Sequence, residues 1–427
     1  MNMSNVSRAD LRPRRTGRRS VVIVGGLASA LLLSACASAG SGSSGSADAP
    51  ADSQPPAAAV DAASPETPAE TPTASPDTIT AQEEGIVTLA LAQPYEPSAE
   101  AGGTDDYRCF LIDLDLPEDR YITGVRFAPG NPAVVHHAIV YRVDPEQVAA
   151  AEQVDAGDDG QGWSCFGGPG IPAPSSGSGG SAVDSLGGSA WLAAWAPGGR
   201  EARYPEGTGV LVESGSQAAL QIHYNLRGGQ GPDLTEVYLR TEPASKNLVD
   251  LATYLLPAPV ELPCLPGESG PLCDREASIT DVIQRFGGES LRTIWGLQFI
   301  CGGDLVEPKA GSTTSCDHKA RSDMTIYAAA GHMHLLGRSI SIEVNPDTDA
   351  ANRVLDIETW DFDNQARSWL PEPLEVSRGD VLRVTCTHDA NLRNTLPALA
   401  DLPPRYVTWG EGTTDEMCLG LLTVARG

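Results

Sequence analysis

From about residue 85 onward, the hydrophobic positions of the chain fall in short runs that are separated by glycine and proline. Many of these runs are rich in β-branched residues and predict strands. They include Tyr121–Phe127, Val134–Val143, Gly209–Glu213, Ala218–Asn225, Thr235–Arg240, Thr325–Ala330, Ser339–Val344 and Val381–Thr387. Helical periodicity is scarce, and its best short candidates are Ile279–Phe286 and Pro145–Val154. The pattern predicts an all-β protein made of antiparallel β-sandwiches rather than βαβ units.

The length of this β-rich region predicts two domains. A stretch of roughly 340 residues is long for a single sandwich. We therefore expect two tandem antiparallel β-sandwich domains of jelly-roll type, over residues 85–241 and 245–427. The polar segment Glu242–Asn247 is the expected junction.

The first 35 residues have the features of a bacterial export signal. Six arginines precede the apolar stretch Val21–Leu33, which is short for a membrane span, and Leu33-Ser34-Ala35-Cys36 ends it. This order predicts a lipoprotein signal peptide over residues 1–35, with Cys36 as the lipidated N-terminus of the mature chain. The alternative is an ordinary cleavage site beside an incidental cysteine. Residues 36–80 lack aromatic residues and lysine and predict a disordered, Ala/Ser/Pro-rich tether.

Charge and location restrict the partners. Removal of residues 1–35 would reduce the basic residues from 29 to 23 and the acidic residues from 56 to 55, giving a formal charge of −32. Such a surface repels nucleic acid and anionic lipid headgroups, so we expect no nucleic-acid partner and membrane contact through the lipid anchor alone. Ala37 and Ser38 lack the Asp that retains some lipoproteins at the inner membrane. This favours the outer membrane, on its periplasmic or cell-surface side.

Five of the seven histidines are clustered. In a strand, His332 and His334 would project from the same face, close enough to chelate one metal, while Met333 would point the other way. His318 and His388 lie in polar surroundings, and we expect both to be ordinary surface histidines.

The other clustered histidines are His136, His137 and His223. Adjacent residues of an ideal strand face opposite ways. His136 and His137 could therefore share a metal only if the strand ends or bulges there, or if a ring binds through Nδ1. His223, on a second apolar strand, could supply a third ligand. Imidazoles alone suit zinc or copper, whereas a histidine pair supplemented by a methionine thioether favours copper.

A family resemblance joins these groups. Thr414-Asp415-Glu416-Met417-Cys418 resembles the DEMC segment of peptidylglycine α-hydroxylating monooxygenase and dopamine β-monooxygenase, which are copper type II, ascorbate-dependent monooxygenases. Other segments resemble the same family in order and spacing: Asp106–Phe110, Val135–His137, Ala194–Pro197, Tyr204–Gly207, Leu220–Tyr224, Gly331–Gly337, Arg378–Asp380 and Cys386.

The resemblance implies two copper sites, one in each domain, that face each other across a solvent-filled cleft. His136, His137 and His223 would form an electron-transfer site. His332, His334 and Met417 would form the catalytic site that activates O₂. The implied cofactors are two copper ions per chain and ascorbate as the reductant. The implied reaction is hydroxylation of an aliphatic C–H of a small molecule.

Eight cysteines remain besides Cys36 and form no CxxC pair, which favours disulfides over structural zinc in an exported chain. The resemblance implies the pairs Cys109–Cys165 and Cys386–Cys418. Our own pairing of the remaining four is Cys264–Cys273 and Cys301–Cys316.

The sequence departs from the peptide-amidating enzymes where they grip a peptide. They carry an asparagine and a tyrosine after the DEMC segment and an arginine two residues before the HxH pair. Here those positions hold Leu419, Leu421 and Ala330. Peptide amidation is therefore disfavoured, and an apolar pocket is one interpretation of the three residues, with ordinary core packing as the other.

Two alternative functions stay open at this point. One is a non-catalytic surface lipoprotein that binds or relays copper. The other is a zinc hydrolase built on the three-histidine group, for which the sequence offers no identifiable general base.

Overall fold

The computed structural model describes residues 79–99, 104–172, 191–199 and 201–426. Residues 72–427 form one compact unit. The expected signal peptide over residues 1–35, the lipidated Cys36 and nearly all of the 36–80 tether lie outside the described residues and stay predictions. No helix in the described part of the chain has the length and apolar character to cross a membrane.

The fold is dominated by strands. In chain order these are β1 (Ile86–Ala90), β2 (Asp105–Asp113), β3 (Arg120–Ala128), β4 (Val135–Val143), β5 (Trp163–Ser164), β6 (Trp191–Trp195), β7 (Ala202–Arg203), β8 (Thr208–Val212), β9 (Gln217–Asn225), β10 (Glu236–Pro243), β11 (Val249–Pro257), β12 (Glu261–Leu262), β13 (Thr313–Lys319), β14 (Met324–His332), β15 (Gly337–Val344), β16 (Asn352–Ile357), β17 (Ser368–Val376), β18 (Val381–His388), β19 (Val407–Thr408) and β20 (Leu419–Arg426).

Four helices interrupt the strands among the described residues: α1 (Val148–Asp155), α2 (Arg275–Phe286), α3 (Glu289–Ile300) and α4 (Leu392–Thr395). The Asp274 side chain caps α2 by accepting a hydrogen bond from the Ala277 N–H at 2.9 Å. Each strand that the hydrophobic pattern predicts is present. The predicted helical segment Pro145–Val154 overlaps α1, and Ile279–Phe286 lies within α2. The all-β prediction is confirmed.

Three sheets build the layers. A nine-stranded sheet runs in the order β1-β10-β3-β8-β11-β20-β14-β17, with β7 added beside β3. A five-stranded sheet (β5-β2-β9-β4-β6) packs on its first part, and a four-stranded sheet (β13-β18-β15-β16) packs on its second part. Among the described strands of these three sheets, all of the pairings are antiparallel except that of β8 with β11. Two sandwiches therefore share one continuous layer. The expected boundary between residues 241 and 245 stays a prediction.

Two buried clusters fill the sandwiches. One lies between the five-stranded sheet and the first part of the large sheet and includes Leu89, Val125 and Leu220. The other lies under the four-stranded sheet and includes Ile326, Ile342 and Val384. Leu251 of β11 and Ala425 of β20 belong to the first cluster, whereas the second contains Leu256 of β11 and Leu419, Leu422 and Val424 of β20. The two cores thus meet at the centre of the large sheet.

Four disulfides join Cys109 to Cys165, Cys264 to Cys273, Cys301 to Cys316 and Cys386 to Cys418. These are the four pairs expected above. Cys109 lies in β2, between β5 and β9 of the five-stranded sheet, and Cys386 lies in β18.

Candidate metal centre

The three-histidine group is built by β4 and β9, which are neighbours in the five-stranded sheet. Along β9, Leu220 and Ile222 point into the core between the sheets, so the alternating residues Gln221 and His223 project from the opposite face. The pairing of β4 with β9 shifts register between Val135 and His137, which pair with Tyr224 and His223. His136 is thus the extra residue of a β-bulge. The bulge brings two consecutive histidines to one place, as the sequence required.

The Nδ1 atoms of the three rings converge. His136 Nδ1 lies 3.3 Å from the Nδ1 atoms of both His137 and His223, and the last two Nδ1 atoms are 3.1 Å apart. Two imidazole nitrogens that share one metal at about 2.0–2.1 Å are separated by about 3.3–3.6 Å at tetrahedral or trigonal angles. This is the one group of three or more His, Cys, Asp or Glu residues among the described residues whose ligand atoms are close enough to hold an ion.

Asp105 fixes the orientation of His223. The His223 Nε2–H donates to Asp105 Oδ1 at 2.9 Å, which leaves Nδ1 with its lone pair facing the other two rings. Thr413 Oγ1 donates to the same carboxylate oxygen at 2.6 Å. Although burial raises the pKa of Asp105, hydrogen bonds from His223 and Thr413 hold it well below its usual value. The Tyr107 ring stacks on His223 at 4.0 Å.

Burial keeps the other two imidazoles neutral. It lowers the pKa of His136 and His137 well below the usual histidine value, and the neighbouring histidines lower it further. Hydrogen bonds cannot satisfy all three Nδ1 pairs at 3.1–3.3 Å, because each Nδ1 either donates or accepts, whereas a cation between them could accept a lone pair from every ring. The donor set therefore fits a metal ion, and three imidazoles suit copper or zinc.

The His332 and His334 pair lies where β14 ends. His332 is the last residue of that strand, and its ring centroid is 5.2 Å from that of His334. The His332 Nδ1–H donates to Gln365 Oε1 at 2.7 Å, and the His334 Nδ1–H donates to the backbone oxygen of Asp415 at 3.3 Å. These bonds leave Nε2 of each ring as the atom with a free lone pair. Burial lowers the pKa of His332 to about 3 and also lowers that of His334.

Met417 follows a segment that is tied directly to this pair. Glu416 is fully buried and accepts hydrogen bonds from the backbone N–H groups of His334, at 3.0 Å, and Leu336. Arg285 of α2 forms an ion pair with the buried Asp415 at 2.6 Å. Met417 is 6% exposed, and Leu419, two residues later, pairs with His332 across β14 and β20.

Met333 and Met417 are placed differently. Met333 is fully buried in the core of the second sandwich, as the strand direction predicted. Two Nε2 donors beside a thioether form a softer set than three imidazoles, and this softness fits copper in its reduced state. The assignment of Met417 as a ligand stays a prediction.

The expectation for His388 is wrong. His388 ends β18 with 2% exposure, and its Nε2 lies 3.4 Å from Glu416 Oε2 and 3.3 Å from the backbone oxygen of Met417. The polar neighbours of His388 in the sequence indicated an exposed position. Its burial comes from the pairing of β18 with β15, in which His388 lies opposite Gly337, three residues after His334. His318 is half-buried rather than exposed, and its Nε2–H donates to the Pro257 oxygen at 2.8 Å.

Sequence reasoning missed Asp105 and Gln365, which orient His223 and His332. Asp105 lies two residues before Tyr107, which is the register partner of His223. The contact of Asp105 with His223 could be predicted only if the register between β2 and β9 were already known. Gln365 lies outside any strand or helix, and we find no signal in the sequence that marks it.

The two histidine groups touch. The rings of His137 and His332 meet edge to face with centroids 5.8 Å apart, which is within the range of direct ring contact. His136 in turn stacks on Phe362 at 4.5 Å. The expectation of a solvent-filled cleft between the two groups is therefore wrong for this structure, since ring contact leaves no space for water between His137 and His332.

A cavity of about 500 Å³ opens beside this contact. It is lined by both His137 and His332, and by residues from both halves of the chain. Ala330, Leu419 and Leu421, which replace the peptide-gripping groups of the amidating enzymes, all line it. The apolar pocket is therefore present, and Leu419 and Leu421 also pack in the hydrophobic core of the second sandwich.

Comparison with known families gives one match. Residues 304–423 match the model of the copper type II ascorbate-dependent monooxygenase C-terminal domain. This range includes His332, His334 and Met417. The match over these residues supports assignment to that family. The family description implies copper, ascorbate and monooxygenase activity. The matched segment does not reach the three-histidine group.

Other comparisons add little. No curated protein matches the chain. A chain of the IBDV viral particle is 6% identical, with 80% of this chain and 69% of that chain covered and a TM-score of 0.17. Pro-11S globulin of pumpkin is 10% identical, with 80% and 77% covered and a TM-score of 0.16. Oxalate decarboxylase from Bacillus subtilis is 8% identical, with 80% and 76% covered and a TM-score of 0.13. Scores this low carry no structural argument.

Proposed function

We propose that the chain is a copper-dependent monooxygenase that hydroxylates an aliphatic C–H of a small molecule with O₂ and a one-electron reductant such as ascorbate. In this reaction one oxygen atom enters the C–H bond and the other becomes water. Two protons and two electrons are consumed, and two ascorbate molecules each give up one electron. The observation that carries the proposal is the cavity beside the contact of His137 with His332.

The residues have separate tasks in this proposal. His136, His137 and His223 would hold one copper through Nδ1, and His332, His334 and Met417 would hold the other. Copper would supply one-electron transfer from the reductant and the reduction of O₂.

The surrounding side chains fix these donors. Asp105 accepts a hydrogen bond from the Nε2–H of His223, and Gln365 accepts one from the Nδ1–H of His332. The other nitrogen of each ring therefore faces the metal position. Burial keeps the imidazoles neutral, so their lone pairs remain available to a metal.

The alternative of a non-catalytic copper-binding or copper-relay lipoprotein needs neither the cavity nor a second ligand set. The described structure provides a space of about 500 Å³ with apolar walls at the histidine contact. A protein that only stores copper has no use for such a space, so we favour the enzyme. Export and attachment to a bacterial membrane through Cys36 are part of the same proposal.

The copper content of the purified full chain tests the two sites. We expect two copper ions per chain, with one lost in His223→Ala and a different one lost or altered in Met417→Ala. His318→Ala removes a histidine outside both groups, and Met333→Leu removes the competing thioether with little change in volume. Both controls should keep two. One copper per chain in the wild type, or zinc in place of copper, would refute the two-site proposal.

Oxygen uptake separates enzyme from binder. Ascorbate oxidation that accelerates when substrate candidates are added, with matching O₂ consumption, supports the monooxygenase. Copper binding at both sites without any reductant-dependent O₂ uptake would leave the copper-binding lipoprotein as the better description.

A further inference from the structure

The walls of the cavity beside His137 and His332 are mainly aromatic and aliphatic. Trp191, Trp195 and Trp369 contribute indole surfaces, and the Phe127 ring stacks on Trp195 at 6.4 Å. A volume of about 500 Å³ falls within the range of small-molecule sites, and such walls favour an apolar body. These features alone would select a neutral hydrocarbon-like molecule.

One cationic side chain interrupts this apolar lining. Arg367 is the one Lys or Arg among the described residues that line the cavity. Its guanidinium carbon lies 5.7 Å from the Trp369 ring centroid and 6.0 Å from that of Tyr204. These two rings contact each other edge to face with centroids 5.7 Å apart, and both lie within cation–π distance of the guanidinium.

Arg367 has no carboxylate partner among the described residues, although the chain carries 56 acidic side chains. The acidic group that shares the cavity wall, Glu201, is already engaged. Its Oε1 lies 2.9 Å from the Arg203 side chain, and its Oε2 accepts the Ile79 N–H at 2.6 Å. The guanidinium is therefore held in place by aromatic contacts and keeps its hydrogen-bond donors for another molecule.

From this arrangement we infer that the substrate is a small organic carboxylate with an apolar, aromatic-sized body, and that Arg367 binds its carboxylate. A single guanidinium fork matches one carboxylate, whereas a phosphate ester with two negative charges would call for more than one cation. The inference rests on the proposed function, because it names the substrate class of the same cavity.

One short segment of the chain carries both Arg367 and the residue that contacts His332. Gln365, which binds His332 Nδ1, lies two residues before Arg367 in the same segment of the chain. A molecule whose carboxylate is fixed at Arg367 would therefore lie with its apolar part toward His332. Arg367 would select and orient the substrate without touching the reacting carbon.

Direct binding tests the inference without relying on turnover. Calorimetry on the full chain, with and without copper, would compare 3-phenylpropanoate with its neutral amide, together with a branched and a straight-chain carboxylate of similar size. We expect at least one carboxylate to bind ~10- to 100-fold more tightly than its amide, the range for a charge-assisted hydrogen bond.

Substitutions then locate the effect. Arg367→Gln should remove the preference for carboxylate over amide, and Arg367→Lys should retain part of it because it keeps the charge but loses the fork. Arg292→Gln, on the exposed face of α3, should change nothing. Unchanged copper content and thermal transition would show that each variant is folded.

The outcomes distinguish the two proposals. Equal binding of carboxylate and amide, an unchanged preference in Arg367→Gln, or no binding of any of these probes would overturn the carboxylate inference and leave the monooxygenase proposal intact. Selective carboxylate binding in a chain that never consumes O₂ with ascorbate would retain the binding site and refute the enzyme.

Discussion

The edge of the His137 ring meets His332 at a centroid distance of 5.8 Å, although the two residues lie in different sandwiches. The contact joins the last residue of β14 to a residue beside the bulge in β4. In the proposed function, an electron passing from one group to the other would cross a pair of touching rings rather than a layer of water.

Asp105→Ala should weaken metal binding at the three-histidine group by about 10- to 100-fold, because His223 loses the acceptor that fixes its ring. Asp105→Asn should have a smaller effect, since its amide oxygen can still accept the Nε2–H. Copper titration against a competing chelator measures the change. Asp113→Asn, exposed on the same strand, serves as the control. An unchanged affinity in Asp105→Ala would show that the carboxylate does not orient a ligand.

Glu416→Gln should destabilise the chain by about 2–3 kcal/mol. Although burial raises the pKa of Glu416, hydrogen bonds from His388 and Leu336 hold it below its usual value, so the carboxylate is charged and accepts from several donors. The amide presents an N–H₂ to at least one of those donors. Urea unfolding measures the loss, and Glu375→Gln, exposed on β17, should be neutral. Equal stability of both variants would contradict the assigned role.

Removal of the Cys386–Cys418 disulfide should affect the HxH site more than the three-histidine group. The bond ties β18 to the residue after Met417 across a sequence separation of 32 residues. We expect the double variant Cys386→Ser/Cys418→Ser to lose about 2–4 kcal/mol of stability and copper at one site. Cys264→Ser/Cys273→Ser, which opens a separation of 9 residues, should keep both coppers. Loss of both sites together would argue against a local effect.

The metal-free chain should lose stability as the pH falls below about 6.5. Burial lowers the folded-state pKa of His136, His137, His332 and His334, so above pH 6.5 both folded and unfolded states are neutral at these rings. Below that pH these rings become protonated in the unfolded chain but stay neutral in the folded chain. For His332 this difference persists until the pH reaches its folded-state pKa of about 3.

Urea unfolding of the chelator-treated chain at several pH values checks this expectation. The free energy of unfolding should fall by at least about 2 kcal/mol between pH 7.5 and 5.5. His136→Asn should show a shallower decline because one such ring is gone. A flat profile over this range would mean that the rings are protonated in the folded state.

Local patterns predicted much of the fold. The apolar run of β9 predicted this central strand, whose two faces are both covered. Its place in that strand made His223 a candidate third ligand. The requirement for a bulge at His136 also followed from local geometry, since consecutive side chains cannot otherwise share one ion.

Other features depended on contacts between distant segments. α3 was not predicted, because its exposed Trp295 and Phe299 obscure the apolar stripe. Asp105 reaches the site through the register of β2 on β9, and His388 through the return of β18 beside Gly337. The approach of His137 to His332 depends on how two sandwiches share one sheet, and no single segment encodes it.

The position of β20 in that shared sheet has a consequence for the order of folding. This strand is the last of the described chain, yet it lies near the middle of the nine-stranded layer, between β11 and β14. Until it is synthesised and inserted, β11 and β14 have no hydrogen-bonded neighbour at that edge. The sheet must therefore be completed late and through contacts of long sequence separation, which are slow to form. We expect nascent chains that lack residues 419–426 to expose two unpaired strand edges and to need protection from aggregation.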